Sequence, residues 1–233
     1  MFLKTFLTVS AASLVNDEGW SGLLLADTAP GVGVMKLRVR DYPALAADGG
    51  SVRLTAGPLP PVVINRQNST TYHAMSVVCQ HLGCFVPIYN PTLGCIQCTC
   101  HGSRYRIDGS LLRGPALRGL ETFETVFDGV NALDVRVPGL SFDVRTLSMQ
   151  PLGGTITRLG LTFPTAAFSE YQVYHGDEID GDFIAVSFAV SQTGAADNLK
   201  IKPVATGNVT IYVDTISVRG FYKIAMLIRE YQG

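Results

Sequence analysis

The sequence predicts an all-β chain, and three observations carry that expectation. Short runs rich in Val, Ile, Thr, Tyr and Phe recur through the chain, bounded by Gly, Pro, Asn and Asp. Two Asp-Gly pairs, Asp108-Gly109 and Asp128-Gly129, sit between such runs and signal hairpins. After Pro138, six strand-like runs crowd into about 95 residues, the density of a small antiparallel β-sandwich.

Composition sets the outer limits. At 233 residues, 47% hydrophobic and 16% charged, the chain suits one large or two small globular domains and is not disordered. A formal net charge of −1 provides no electrostatic footprint for nucleic acid. All 5 cysteines fall between Cys79 and Cys100, so the rest of the chain is no disulfide scaffold.

In chain order, Met1 to Val15 reads as a short apolar segment, too brief for a bilayer, which takes about 20 residues. Phe2-Leu3-Lys4 is similar to the tail of a twin-arginine export signal, although the arginine pair itself is not in the sequence. A surface-docked amphipathic helix is the alternative reading of this stretch. Asp17 to Gly33, rich in Gly, Asp and small residues, reads as a linker. Met35 to Arg40 alternates like a strand, Tyr42 to Ala47 suggests one helical turn, and Gly49-Gly50 stops it. Ser51 to Leu54 and Pro61 to Asn65 follow as short strands around a proline-rich turn, and Thr71 to Val78 as a third. Gly94 to Gln97 is a fourth, Tyr105 to Ile107 and Ser110 to Leu112 form the first hairpin, and Thr122 to Phe127 and Asn131 to Val137 the second. Beyond it, Leu140 to Met149, Thr155 to Phe163, Glu170 to His175, Phe183 to Ser191, Asn208 to Val218 and Phe221 to Tyr231 supply the sandwich strands. Three parts are therefore expected: residues 1–33 as a signal-like or anchoring segment with linker, 34–138 as a first domain, and 139–233 as a docking or oligomerisation domain.

The chemistry concentrates in two boxes, Cys79-Gln80-His81-Leu82-Gly83-Cys84 and Cys98-Thr99-Cys100-His101-Gly102-Ser103, with 16 residues between His81 and Cys98. Two thiolates and two imidazoles, from Cys79, Cys98, His81 and His101, are the donor set of an iron-sulfur centre with cysteines on one iron and histidines on the other. Imidazole carries no negative charge, which raises the reduction potential, roughly into a range of −150 to +300 mV. A ligating imidazole also keeps a second nitrogen that holds or loses a proton, so electron and proton transfer are coupled. Four Cys/His donors in two pairs are also a zinc set. Zinc ribbons, however, have no use for Cys84 and Cys100 inside the boxes or Ser103 and Tyr105 beside them.

The pair of boxes, C-x-H-L-G-C and C-x-C-H-G-S-x-Y, resembles the Rieske [2Fe-2S] family over roughly Val34 to Pro138. The resemblance is to its high-potential branch, that of cytochrome bc complexes. It implies a disulfide between Cys84 and Cys100, hydrogen bonds to the cluster from Ser103 and to a cysteine sulfur from Tyr105, and shielding of the cluster by Leu82. It further implies a third covering loop at Gly114-Pro115-Ala116. It implies one-electron transfer from a quinol or a metalloenzyme subunit to an acceptor such as a c-type cytochrome. A periplasmic location, or the outer face of the cytoplasmic membrane, goes with the expected disulfide and the export-like start. A peripheral subunit, similar in this to the small subunit of arsenite oxidase, fits the same pattern.

Other residues carry weaker signals. A Rieske oxygenase needs a second iron on two histidines and a carboxylate, and after His101 only His175 remains, so that reading fails on ligand count. His73 reads as a side chain on a sheet face, and Cys95 as an ordinary strand residue, with an interchain disulfide or reactive thiol as the alternative. Asp177, Glu178, Asp180 and Asp182 cluster at a turn without the order of a calcium loop. A competing function makes the β-sandwich an adhesive or assembly module that carries a tethered redox domain.

Overall fold

The computed structural model describes residues 22–26, 32–55, 60–140, 144–178, 182–216 and 221–231. The expected signal-like segment lies outside the described residues. Two compact units are present, one built on residues 34–137 with the chain's last six residues, and one built mainly on residues 138–227.

In the first unit, seven strands lie in the order Val32–Arg38, Ala132–Pro138, Thr122–Phe127, Tyr72–Ser76, Val62–Arg66, Ser51–Thr55 and Arg229–Glu230. The three strands from Ser51 to Ser76 form an antiparallel meander, with Ile64 opposite both Val52 and Ala74. Burial in Val62–Arg66 is nearly continuous, as in a strand covered on both faces, whereas Thr122–Phe127 alternates exposed and half-buried, as a strand with one face toward solvent does. The expected turn of helix is two 3-10 turns, Val39–Asp41 and Pro43–Leu45. Tyr42 between them and Leu45 are buried.

Both Asp-Gly pairs form turns, by one shared device. The Asp128 carboxylate accepts from the N–H groups of Val130, Asn131 and Ala132 at 2.8, 2.8 and 2.9 Å, and Asp108 accepts from Ser110 N–H at 2.9 Å. The glycine after each has φ near +80°, which a residue without Cβ adopts freely. The connections are therefore longer than two-residue hairpin loops, and the strands after Asp108 start one residue later than expected, at Leu111–Arg113.

Two departures come from the chain ends. Gly22–Ala26, expected as linker, is a strand, its three consecutive leucines overriding the flanking small residues. The run expected from Phe221 to Tyr231 breaks at Ile228. Arg229 and Glu230 then pair with Thr55 and Leu54 as an edge strand of the first unit, where the Arg53 guanidinium lies 4.4 Å over the Tyr231 ring.

The second unit draws its strands from two sheets. Arg145–Gly153, Ile156–Thr165 and Gly207–Thr215 form one, and Tyr171–Gly176, Ile184–Val186 and Phe221–Leu227 pair in the other. They meet through Phe163 and Tyr171, whose rings are 5.5 Å apart, and through the Tyr171 hydroxyl, which accepts from Ala166 N–H at 2.7 Å. Arg158, 6% exposed, anchors one end: its guanidinium is bidentate on Asp214 at 2.6 and 2.7 Å and donates to Gln192 O and Gly194 O at 2.8 Å. Arg158→Met removes all four bonds and should lower stability by about 2 kcal/mol in urea denaturation. Arg158 holds the Asp214 carboxyl below its ordinary value. Its folded pKa is thus depressed, so this stabilisation is complete above about pH 4 and is lost as pH falls through the folded value. The variant should show a flatter loss of stability in acid.

Candidate metal centre

Two loops of matching build carry the Cys-His boxes. Cys79 N–H donates to Cys84 O at 2.8 Å and Gly83 N–H to Cys79 O at 3.0 Å; in the second loop Cys98 N–H donates to Ser103 O at 2.8 Å and Gly102 N–H to Cys98 O at 3.0 Å. Each loop closes on a glycine four residues after its cysteine, with φ of +77° at Gly83 and +79° at Gly102. A Cβ at either would meet nothing within 4 Å, so it is the left-handed backbone and not space that demands glycine.

The four donors divide by burial. Cys79 and Cys98 are 3% and 1% exposed and belong to a core with Val63, Met75, Val77, Val86 and Ile96. His101 is exposed and His81 half-buried, with ring centroids 4.8 Å apart and planes nearly perpendicular. The Nδ1 atom of His81 is buried with no hydrogen-bond partner. Such a nitrogen costs about 1–3 kcal/mol unless something binds it. A disulfide joins Cys84 to Cys100 and so ties one loop to the other. The sulfurs of Cys84, Cys98 and Cys100 lie within 4.8 Å of one another, but two of the three are spent in that bond and donate no thiolate.

Hydroxyl groups converge on one thiol. The Tyr105 hydroxyl, fully buried, accepts from Gln80 N–H at 3.2 Å and is hydrogen-bonded to Cys79 Sγ at 3.0 Å. Ser103 Oγ accepts from Ala116 N–H at 3.0 Å, and its hydroxyl also bonds toward Cys79. Burial opposes ionisation of Cys79, yet the bonds from Tyr105, the His81 backbone, Cys98 and Ser103 together outweigh it and hold the thiol below its ordinary value. Burial pushes Cys98 up, and burial beside Cys79 pushes Tyr105 well above the usual phenol range. The pocket thus favours a first negative charge on Cys79 sulfur.

The third loop starts at a cis Gly114-Pro115 bond, and Ala116, 3% exposed, seats it on Ser103. Gly114 and Pro115 are exposed, and Leu82 is 69% exposed. One contact was not foreseeable from the boxes. Arg118 Nε donates to Gln80 Oε1 at 2.9 Å, while Gln80 Nε2 donates to Val78 O at 3.0 Å, so the third loop is fastened to the first. Only an arginine four residues after Gly114 hints at it.

Residues 39–124 match the family model described as Rieske [2Fe-2S] domain. The iron-sulfur subunit of the cytochrome b6-f complex of Synechococcus sp. (strain JA-3-3Ab) is 38% identical over 72 residues, 31% of this chain and 41% of that protein. Its counterpart in Gloeobacter violaceus is 39% identical over 93 residues, 40% of this chain and 42% of that protein. The solved structure of the cyanobacterial plasma membrane Rieske protein PetC3 from Synechocystis PCC 6803 is 34% identical and aligns with 36% of this chain and 85% of that one, with a TM-score of 0.33. The chain belongs to the Rieske [2Fe-2S] family. It spans less than half the length of the curated relatives named here. The family cofactor is a Rieske-type [2Fe-2S] cluster. The donors present fit it, with two water-excluded thiols, one already biased toward thiolate, and two imidazoles, one with a buried nitrogen that lacks a partner.

The weaker sequence signals resolve without chemistry. His73 is half-buried on Tyr72–Ser76 and bonds Gln67 Oε1. Cys95 is 2% exposed, which removes it from interchain pairing. His175 packs tilted against Tyr222, with ring centroids 4.9 Å apart, within the second unit. Of the acidic turn, residues 179–181 lie outside the described residues.

Proposed function

We propose that Cys79 and Cys98 hold one iron of the cluster and His81 and His101 the other, and that the chain passes single electrons across its imidazole edge. When bound, the cluster supplies a one-electron couple, roughly between −150 and +300 mV for centres of this kind. The observation that carries the reading is the division of the donors, thiols buried and imidazoles toward solvent. Burial of the sulfurs disfavours extra charge on their side, so an added electron would sit on the iron that the histidines hold, and the imidazole edge leaves that side open to a donor or acceptor. Leu82, Gly114 and Pro115 border the same site and limit water there. Ser103 and Tyr105 stabilise negative charge on the sulfur side, which favours the reduced state.

The named relatives, subunits of cytochrome b6-f complexes, support a role in a quinol-oxidising complex that delivers electrons toward a c-type cytochrome. The disulfide supports an oxidising compartment, the periplasm or the outer face of a membrane. Among the described residues no helix is long and apolar enough to cross a membrane. In this reading residues 34–138 are the redox domain and 139–233 dock or oligomerise. A redox titration of Ser103→Ala tests the assignment: the cluster is retained and its potential falls, because one hydrogen bond that stabilises the reduced charge is lost. An unchanged potential would refute the role given to Ser103.

A further inference from the structure

Charge is distributed unevenly around the three loops. From Pro60 to Leu120 the chain has five arginines, no lysine and a single acidic residue, Asp108, although the whole chain carries −1. The Asp108 carboxylate is engaged by Ser110, through N–H at 2.9 Å and hydroxyl at 2.7 Å. Each of the three loops has an arginine next to it. Arg104 directly follows Ser103, Arg113 directly precedes Gly114, and Arg118 bonds Gln80 between Cys79 and His81. Arg104 and Arg113 are cross-strand partners, so their side chains share one face of the small sheet formed by Ile96–Gln97, Arg104–Tyr105 and Leu111–Arg113. Like charges placed directly opposite destabilise a strand pair. Among the described residues neither has an acidic partner, and Arg113 and Arg118 are exposed.

Apolar residues stand among these charges. Leu117 is 95% exposed, Leu82 69% and Leu112 45%. Exposed leucines with arginines beside them have the composition of a protein interface, an apolar centre and a charged rim. From this we infer that the cluster-bearing face docks an acidic protein partner, with Arg104, Arg113 and Arg118 reading carboxylates around the apolar contact. Guanidinium forks match carboxylates in bidentate geometry, and the three loops sit where an electron partner must bring its own redox group. A phospholipid headgroup carries none. This inference rests on the electron-transfer reading and adds the charge of the partner to it.

Cytochrome c with its lysines succinylated, and the native basic protein, are two probes with one haem and opposite charge. Binding of each to the full-length holoprotein is measured by surface plasmon resonance in low and high salt, with vesicles of phosphatidylglycerol as a third analyte. The succinylated probe should bind in low salt, lose its affinity in high salt, and bind about tenfold more weakly to the triple variant R104Q/R113Q/R118Q. R113E alone should weaken it in the same sense, and the native probe should not bind better than the succinylated one. Equal binding of both probes, an unaffected triple variant, or arginine-dependent binding of the vesicles in place of the succinylated probe would overturn the inference. The visible spectrum of the same sample separates the two levels. Without a cluster the electron-transfer reading and this inference fall together, whereas a normal cluster with charge-blind binding removes only the inference.

Discussion

A chain carrying Cys98→Ser assembles no [2Fe-2S] centre and stays colourless after iron and sulfide reconstitution. Cys98 is 1% exposed and sits in the same core cluster as Cys79, Val86 and Ile96, so the loop that carries it is fixed from below and cannot offer another donor in its place. A serine hydroxyl is a poor ligand where a soft thiolate is required. Because serine is close to cysteine in size, the protein should remain folded, with unfolding within about 1 kcal/mol of the parent. The loss is then one of chemistry and not of structure. Iron content and the visible spectrum read the first, and denaturant unfolding reads the second. His101→Ala should fail in the same way, since it removes one of only two imidazoles that the boxes supply.

The second large effect concerns Cys84 and Cys100. Their disulfide closes a loop with a sequence separation of 16, and a bond over such a span contributes about 3 kcal/mol by the chain-entropy argument. Replacing both by serine should lower the unfolding free energy by about that amount, and reduction of the unaltered protein should do the same. The functional consequence follows from position. Cys84 ends the first loop and Cys100 sits two residues after Cys98 in the second, so the bond is the covalent tie between the two halves of the donor set. A free pair of loops holds two sulfurs and two imidazoles less firmly. The double variant should therefore bind the cluster when fresh and lose it faster than the parent, which the decay of its visible absorption measures.

The all-β class was readable because its cues are local. Val62–Arg66 and Thr122–Phe127 announce themselves by composition, and Asp108 and Asp128 by a carboxylate that captures the backbone two residues on. The four candidate donors stood out for a different reason, since metal chemistry fixes residue type and spacing together, whereas the disulfide pair was expected from the family resemblance alone and is formed in the structure. What escaped was non-local. That Arg229–Glu230 would pair with Thr55 and Leu54, more than a hundred and seventy residues earlier, has no local signal, since two exposed charged residues look like a tail. The strand Gly22–Ala26 is short and sits among glycines and aspartates that read as a linker. The Gln80 to Arg118 bond joins a half-buried and an exposed side chain whose types suggest nothing until the loops are placed. Tyr105 fell between these cases. Its link to a cysteine sulfur came from family resemblance, and only the fold shows that its hydroxyl also accepts from Gln80 N–H while it bonds Cys79 Sγ.

The most direct test is an electron paramagnetic resonance spectrum of the full-length protein after reduction with dithionite. A mixed-ligand cluster on two thiolates and two imidazoles predicts a rhombic signal with an average g-value below that of an all-cysteine cluster, at one spin per two irons bound. A silent sample that contains zinc, or a signal of the all-cysteine type, would contradict the assignment of His81 and His101.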